Sequence, residues 1–209
     1  MKSLSLGSVM SDTWSSRFQY GHQEHLEAIG ITIVAWNEIE FVMFTLYRAL
    51  LGLKAATASS LFYDHSNSER FKLILAIAPM KFGAKTCDHL ELFRRYAVIC
   101  NDNRNFIAHS SIRRSSEDIL ANKIRTKDLV WTDYKLTLSQ LRQAAEDADR
   151  VAKYGKAIVL YALAGEVNED GEKVFRNPNM RGNTHFPAAL PKTPAQPMSL
   201  TQPPKADRE

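Results

Sequence analysis

The most apolar window of the sequence, Ile29 to Leu53, overlaps a segment of helical periodicity. Its spacing predicts a first long helix from about Gln23 to Leu51, ended by Gly52. The predicted core stripe consists of Leu26, Ile29, Ile33, Trp36, Phe44 and Tyr47. Polar and charged residues, Glu38 and Glu40 among them, interrupt the window, and carboxylates are costly inside a bilayer. We therefore expect a buried helix and no membrane span.

Further periodic segments predict an all-α, up-and-down helical bundle. A short helix should run from Ala55 to Tyr63, and another helix should begin after Ser66. The next long helix should end near His109. Alternating and β-branched residues after His109 predict a small β-hairpin or three-stranded meander. Thr137 and Gln140 then form a predicted capping box for a last helix, which reaches about Leu163.

These elements divide the chain into three parts. Residues 1–21 are predicted to be a flexible N-terminal segment, and residues 22–165 the helical domain. Residues 166–209 lose the periodicity and hold seven of the eight prolines, so we expect a mostly disordered tail. Docking of this tail on a partner is the alternative.

Cysteine spacing and the N-terminus favour a cytoplasmic protein. Cys87 and Cys100 are 13 residues apart on one predicted helix, about 20 Å by helical rise and too far for a disulfide. The N-terminus has a lone lysine and no sustained apolar run, so we expect no signal peptide.

The sequence Arg104-Asn105-Phe106-Ile107-Ala108-His109, here called the Arg104–His109 segment, is the main candidate site. Its Arg-x4-His spacing recurs from Arg17 to His22, so spacing alone is weak evidence. The first copy is polar, whereas the second closes an amphipathic helix. Asn105 lies next to the arginine, where it could orient either side chain.

The mild net charge of +4 is concentrated around this segment. Basic residues flank it on both sides: Arg94, Arg95, Arg113, Arg114, Lys123, Arg125 and Lys127. Such a cluster suits a polyphosphate partner, and Arg94, Arg95, Arg113 and Arg114 are candidate RNA-binding residues. From charge alone, a solvated helix face and a charged hairpin explain the same residues.

Other chemistries find little support. His22 and His25 share a helical face, but a metal site needs a third ligand that the sequence does not identify. There is no Gly-rich phosphate loop, no Gly-x-Ser-x-Gly elbow and no Cys-x-x-Cys motif. We expect neither a metal nor a cofactor.

The Trp-Asn-x-Ile-Glu pattern of the first helix (residues 36–40) and the Arg104–His109 segment together resemble the HEPN superfamily over residues 22–165. This resemblance implies an all-α bundle and assigns catalysis to Arg104 and His109, with Asn105 matching the polar position after the arginine. It implies a metal-independent endoribonuclease of toxin or phage-defence type, a homodimer with one composite cleft, and RNA as substrate. A separate antitoxin or defence partner would also fit.

The residue types suit RNA cleavage. Histidine can move protons near neutral pH, and an arginine fork can hold a phosphate. On an ideal helix Arg104 and His109 would be about 140° apart around the axis, so they could share a phosphate only if the helix ended or a second subunit contributed. The alternative is a non-catalytic module that binds RNA, nucleotide or protein. In that case His109 caps the end of its helix and Arg104 pairs with Glu40.

Overall fold

The computed structural model describes residues 20–124, 131–163, 165–167, 173–175 and 193–195. Helix α1, Gln23–Leu51, is the long apolar helix predicted from the sequence, and Gly52 ends it in the left-handed conformation with φ 64°. Its buried side includes Trp36, Ile39, Met43 and Leu46. The described residues are therefore organised along α1.

Two short helices connect α1 to the next long helix. Helix α2 is Ala55–Asp64, and helix α3 is Asn67–Ile77. The Ser66 hydroxyl accepts from the N–H of Glu69, whose carboxylate accepts from the N–H of Ser66, a capping box that fixes the start of α3. A short 3-10 helix, Ala78–Met80, contains Pro79, and helix α4, Ala84–Ala108, follows.

A three-stranded antiparallel sheet separates α4 from the last helix. Its strands are β1 (Ser111–Arg114), β2 (Ile119–Ile124) and β3 (Trp131–Leu136), in the order β1-β2-β3. One face carries buried Ile119, Ala121 and Leu136, which pack on the helices. The expected small antiparallel element before the last helix is therefore confirmed as a meander.

Helix α5, Leu138–Leu163, begins at the predicted capping box of Thr137 and Gln140. Arg142 pairs with Glu24, and Lys156 pairs with Glu38. Because both partners advance by the same interval along their helices, α1 and α5 run in parallel. His89 of α4 contacts Tyr154 of α5, while Cys100 experiences the charge of Asp147, so α4 runs antiparallel to α5.

Two hydrophobic clusters meet at the end of α4. The larger joins α1, α3, α4 and α5 and contains Trp36 and Phe93. The smaller contains Phe106 and Ile107 of α4, the buried side of the sheet, and Leu141 of α5. The Arg104–His109 segment therefore lies where the helical body meets the sheet.

Parts of the C-terminal region are described. Strand β4, Gly165–Val167, pairs antiparallel with β5, Lys173–Phe175. Residues 193–195 contact the helical body: the hydroxyl groups of Thr193 and Tyr96 are 3.1 Å apart, and the Ala195 N–H donates to Asp147 at 2.9 Å. The rest of the predicted disordered tail, and residues 1–19 of the predicted flexible N-terminus, lie outside the described residues.

By length and composition α1 could cross a membrane. Core helices of soluble proteins and signal sequences near the N-terminus pass the same test. In this structure one side of α1 is buried against α5 and α4, in agreement with the expectation of a core helix.

Candidate functional site

The end of α4 brings Arg104 and Asn105 into direct contact. Nη1 of Arg104 donates a hydrogen bond of 2.9 Å to Oδ1 of Asn105. Nε of Arg104 is buried and has no hydrogen-bond partner among the described residues. Arg104 is therefore a half-buried cation whose orientation Asn105 helps to set, with donor capacity left for an anionic ligand.

The helix ends immediately before His109. The His109 N–H donates to the carbonyl oxygen of Asn105 at 3.1 Å, and the Ser110 hydroxyl donates to that of Phe106 at 2.5 Å. These bonds satisfy carbonyls that a helix end would otherwise leave free. The expected end of this long helix near His109 is confirmed. His109 lies one turn beyond Asn105, and its side chain is exposed.

The sheet supports the segment from one side. Phe106 is fully buried, and its ring packs edge-to-face on Tyr134 with 5.0 Å between centroids. Nζ of Lys123 lies 5.5 Å from the same ring, on strand β2. Burial raises the pKa of the Asp102 carboxyl, and the charge of Lys123 partly opposes this shift. Lys123 is thus a further cation close to the end of α4.

Glu40 does not pair with Arg104, as the sequence had led us to consider. Its Oε1 accepts a 3.0 Å hydrogen bond from Nη1 of Arg70, on α3. Arg70 is buried, donates to the Phe62 carbonyl at 2.7 Å, and stacks on the Phe62 ring at 4.0 Å. The pair satisfies a carboxylate at the edge of the core.

Arg70 also connects Glu40 to α4. It donates a 2.7 Å hydrogen bond to Oδ1 of Asn67, and Nδ2 of Asn67 donates to Oδ1 of Asn101 at 3.1 Å. Asn101 precedes Arg104 by three residues on α4. We call these four residues, Glu40, Arg70, Asn67 and Asn101, the amide network.

Sequence reasoning missed three members of the amide network. Arg70 carried a weak signal, since it is a charged residue next to Phe71 in an otherwise apolar helix face. Asn67 and Asn101 carried none, because their contact joins two helices across 34 positions of sequence.

The four candidate RNA-binding arginines fall into two pairs. Arg94 and Arg95 are on α4, where Arg94 makes a bidentate ion pair with Glu91. This contact raises the pKa of Arg94. Arg113 and Arg114 are on β1, where Arg113 pairs with Asp133. Arg95 and Arg114 are exposed and form no ion pair with described residues, so they keep their charge available to a ligand.

The two histidines at the start of α1, His22 and His25, have neighbouring rings. Their ring centroids are 5.4 Å apart, and Nε2 of His22 lies 3.2 Å from the carbonyl oxygen of Ser115. Within the described residues no group of three or more His, Cys, Asp or Glu side chains could hold a metal ion. The alternative Arg-x4-His copy begins at Arg17, outside the described residues.

The chain was compared with known proteins at the levels of family, sequence and structure. No protein-family model, curated protein or solved structure matches it. The function of the chain is therefore inferred from its own residues.

Proposed function

We propose that this chain is a metal-independent endoribonuclease of the HEPN superfamily, of toxin or phage-defence type. The observation that carries the proposal is the arrangement at the end of α4. Arg104 is hydrogen-bonded to Asn105, and the exposed His109 follows one helical turn later. A permanent cation and an exposed imidazole at a helix end suit the handling of a phosphodiester.

The reaction requires two proton transfers. The 2′-hydroxyl loses its proton as its oxygen attacks the phosphorus, and the bond from phosphorus to the 5′-oxygen breaks. That oxygen takes up a proton, which leaves a 2′,3′-cyclic phosphate and a 5′-hydroxyl. His109 is the group that moves protons, a role typically worth about 10²–10⁴-fold in rate. Arg104 stabilises the charge that develops on the phosphate oxygens.

A homodimer completes the proposal. Two copies would place two Arg104–His109 segments in one cleft, so that arginine and histidine from different subunits could act on one phosphate. Light scattering on the purified protein should then give about twice the chain mass of 23.6 kDa. Free Cys87 and Cys100 and the burial of α1 support a cytoplasmic location, where an antitoxin or defence partner would be a separate chain.

The test is cleavage of a mixed-sequence single-stranded RNA in EDTA by the wild type, Arg104→Ala and His109→Ala. The wild type should give cyclic-phosphate ends, and each variant should lose at least about 10²-fold in rate. Arg48→Ala is the matched control, because Arg48 is an exposed arginine in the last turn of α1, at the opposite end of that helix from Ala28, which packs with Phe106. Cleavage that persists unchanged in both variants would exclude this segment as the site.

A non-catalytic module is the second candidate, favoured by the amide network, which orders polar groups away from His109. It predicts that the folded wild type binds RNA or a nucleotide without cutting it. Measurements of RNA binding and of RNA cleavage on the same protein preparations distinguish the two functions.

A further inference from the structure

A cavity of about 460 Å³ lies beside the amide network, between α1, α3 and α4. Trp36 and Phe71, both almost fully buried, form its apolar floor. Leu75, Ala97 and Val98 form its walls. This volume is in the range of small-molecule sites, which are mostly apolar with a few placed polar groups.

The polar groups of the cavity come from the amide network, from Lys72 and from Arg94, which is paired with Glu91. Asn67 and Asn101 line it, and so do Lys72 and Arg94. Oδ1 of Asn67 accepts from Arg70, and its Nδ2 donates to Asn101. Within the described residues the Nδ2 group of Asn101 makes no hydrogen bond, so it can donate to a ligand.

A chain of mostly part-buried hydrogen bonds holds this donor in place. Asn101 is fixed by Asn67, Asn67 by Arg70, and Arg70 by Glu40 and the carbonyl of Phe62. A polar group whose orientation is set before binding loses less entropy when it meets its ligand. The cavity is therefore preorganised at its polar end.

The lining of the cavity ends at Asn101, on the face of α4 that leads to the candidate catalytic segment. Arg94, Ala97, Val98 and Asn101 line it from one face of α4, at steps of three and four residues. Asn105 continues that face one turn further, and Arg104 lies three residues, or about 4.5 Å along the axis, beyond Asn101. A ligand in the cavity would lie next to Arg104.

We infer that this cavity holds the base of one nucleotide of a single-stranded RNA whose adjacent phosphate lies at Arg104. The inference rests on the proposed function for the identity of the strand. An apolar floor suits the faces of a base, the Asn101 amide can donate to a ring nitrogen or carbonyl oxygen, and cations near the rim suit phosphates. A free nucleotide would share this chemistry.

The test measures binding in the full-length His109→Ala chain, so that cleavage does not interfere. Fluorescence anisotropy compares a labelled single-stranded RNA with an abasic oligomer that keeps every phosphate. Val98→Trp fills the cavity from its exposed wall, and Asn101→Leu removes the donor. Leu160→Trp is the matched control, because Leu160 is 60% exposed on α5 and lies outside the cavity lining. Thermal melts check that each variant is folded.

Both cavity variants should bind the RNA about tenfold more weakly, while Leu160→Trp should bind it as the parent does. Val98→Trp should also lose the preference for RNA over the abasic oligomer. Equal affinity of Val98→Trp and the parent for RNA would overturn the inference. The inference would also be overturned if Val98→Trp lost the binding of a mononucleotide but kept the binding of RNA. The ligand of the cavity would then be the free nucleotide.

The readout separates this inference from the proposed function. If the wild type does not cleave RNA but Val98→Trp weakens RNA binding, the binding site stands and the nuclease proposal fails. If the wild type cleaves RNA and the cavity variants bind and cleave RNA as well as their parents do, the nuclease proposal stands and the cavity assignment fails.

Discussion

His25 is a buried histidine with an unusual environment at the start of α1. It is 3% exposed, and neither ring nitrogen has a hydrogen-bond partner among the described residues. Desolvation lowers its pKa, and the nearby His22 lowers it further, whereas Asp118 and Glu24 act in the opposite direction. The folded state therefore favours the neutral imidazole.

This environment makes stability depend on pH. The unfolded chain takes up a proton on His25 below about its ordinary pKa of 6.5, but the folded chain does so only at lower pH. The free energy of unfolding should therefore fall as the pH decreases from 7 to 5. His25→Phe should reduce that fall, as measured by urea denaturation at several pH values. His89, whose pKa burial also lowers, should leave a residual dependence. An identical pH dependence in the variant would contradict the prediction.

The Glu40 pairing shows what a sequence can and cannot give for a single residue. Glu40 lies beside an apolar stripe, where an unpaired buried charge is costly, and the sequence offered Arg104 as one candidate partner. The choice between Arg70 and Arg104 depended on how α3 and α4 lie against α1, which helical periodicity does not encode. For Arg104 and Asn105, in contrast, adjacency in sequence was enough to predict their proximity.

At the scale of the elements, local sequence signals predicted the helix ends well. They did not predict which side of a helix faces the core. The capping residues Ser66 and Thr137 and the terminal Gly52 act at the predicted positions. Helix α4 begins at Ala84 without a side-chain cap, and the carbonyl of Gly83 accepts from the N–H groups of Thr86 and Cys87.

The core side of α1 was predicted only in part. Trp36 and Tyr47 are buried, but Leu26, Ile29, Ile33 and Phe44 are only partly buried. The residues that are more deeply buried than these include Ile39, Val42, Met43 and Leu46. Apolar residues occur on all sides of α1, including exposed Ile31, Val34 and Phe41, so composition could not fix which side faces the core.

Gly155 sets how closely α5 approaches its neighbours. A Cβ atom at this position would lie 2.6 Å from Phe93 and 2.8 Å from Val42. Alanine normally stabilises a helix interior by about 1 kcal/mol relative to glycine, but overpacking a core costs about 1–3 kcal/mol. Gly155→Ala should therefore be less stable than Gly30→Ala by about 1–3 kcal/mol in urea denaturation. Gly30 is the control because nothing lies within 4 Å of its added Cβ. Equal stability would show that Phe93 and Val42 yield easily.

At the scale of the whole molecule, residues 193–195 connect a distant part of the chain to the helical body. Pro194 is buried, Thr193 contacts Tyr96 of α4, and Ala195 contacts Asp147 of α5. The sequence predicted only a proline-rich tail here, because such contacts depend on a complementary surface that other elements form. The Asp147 carboxylate is 1% exposed and also accepts from Gln143 and Arg150.

Removal of this contact should destabilise the helical body. A chain truncated after residue 192 would lose the N–H donor to Asp147 and uncover the surface that Pro194 buries. Hydrogen bonds to charged groups contribute about 1.5–3 kcal/mol, so the free energy of unfolding should fall by about that amount. A chain truncated after residue 199 keeps the contact and is the control. Urea denaturation of both chains gives the difference. If the two are equally stable, then Asp147 is satisfied by Gln143 and Arg150 alone, and residues 193–195 add nothing to the stability of the bundle.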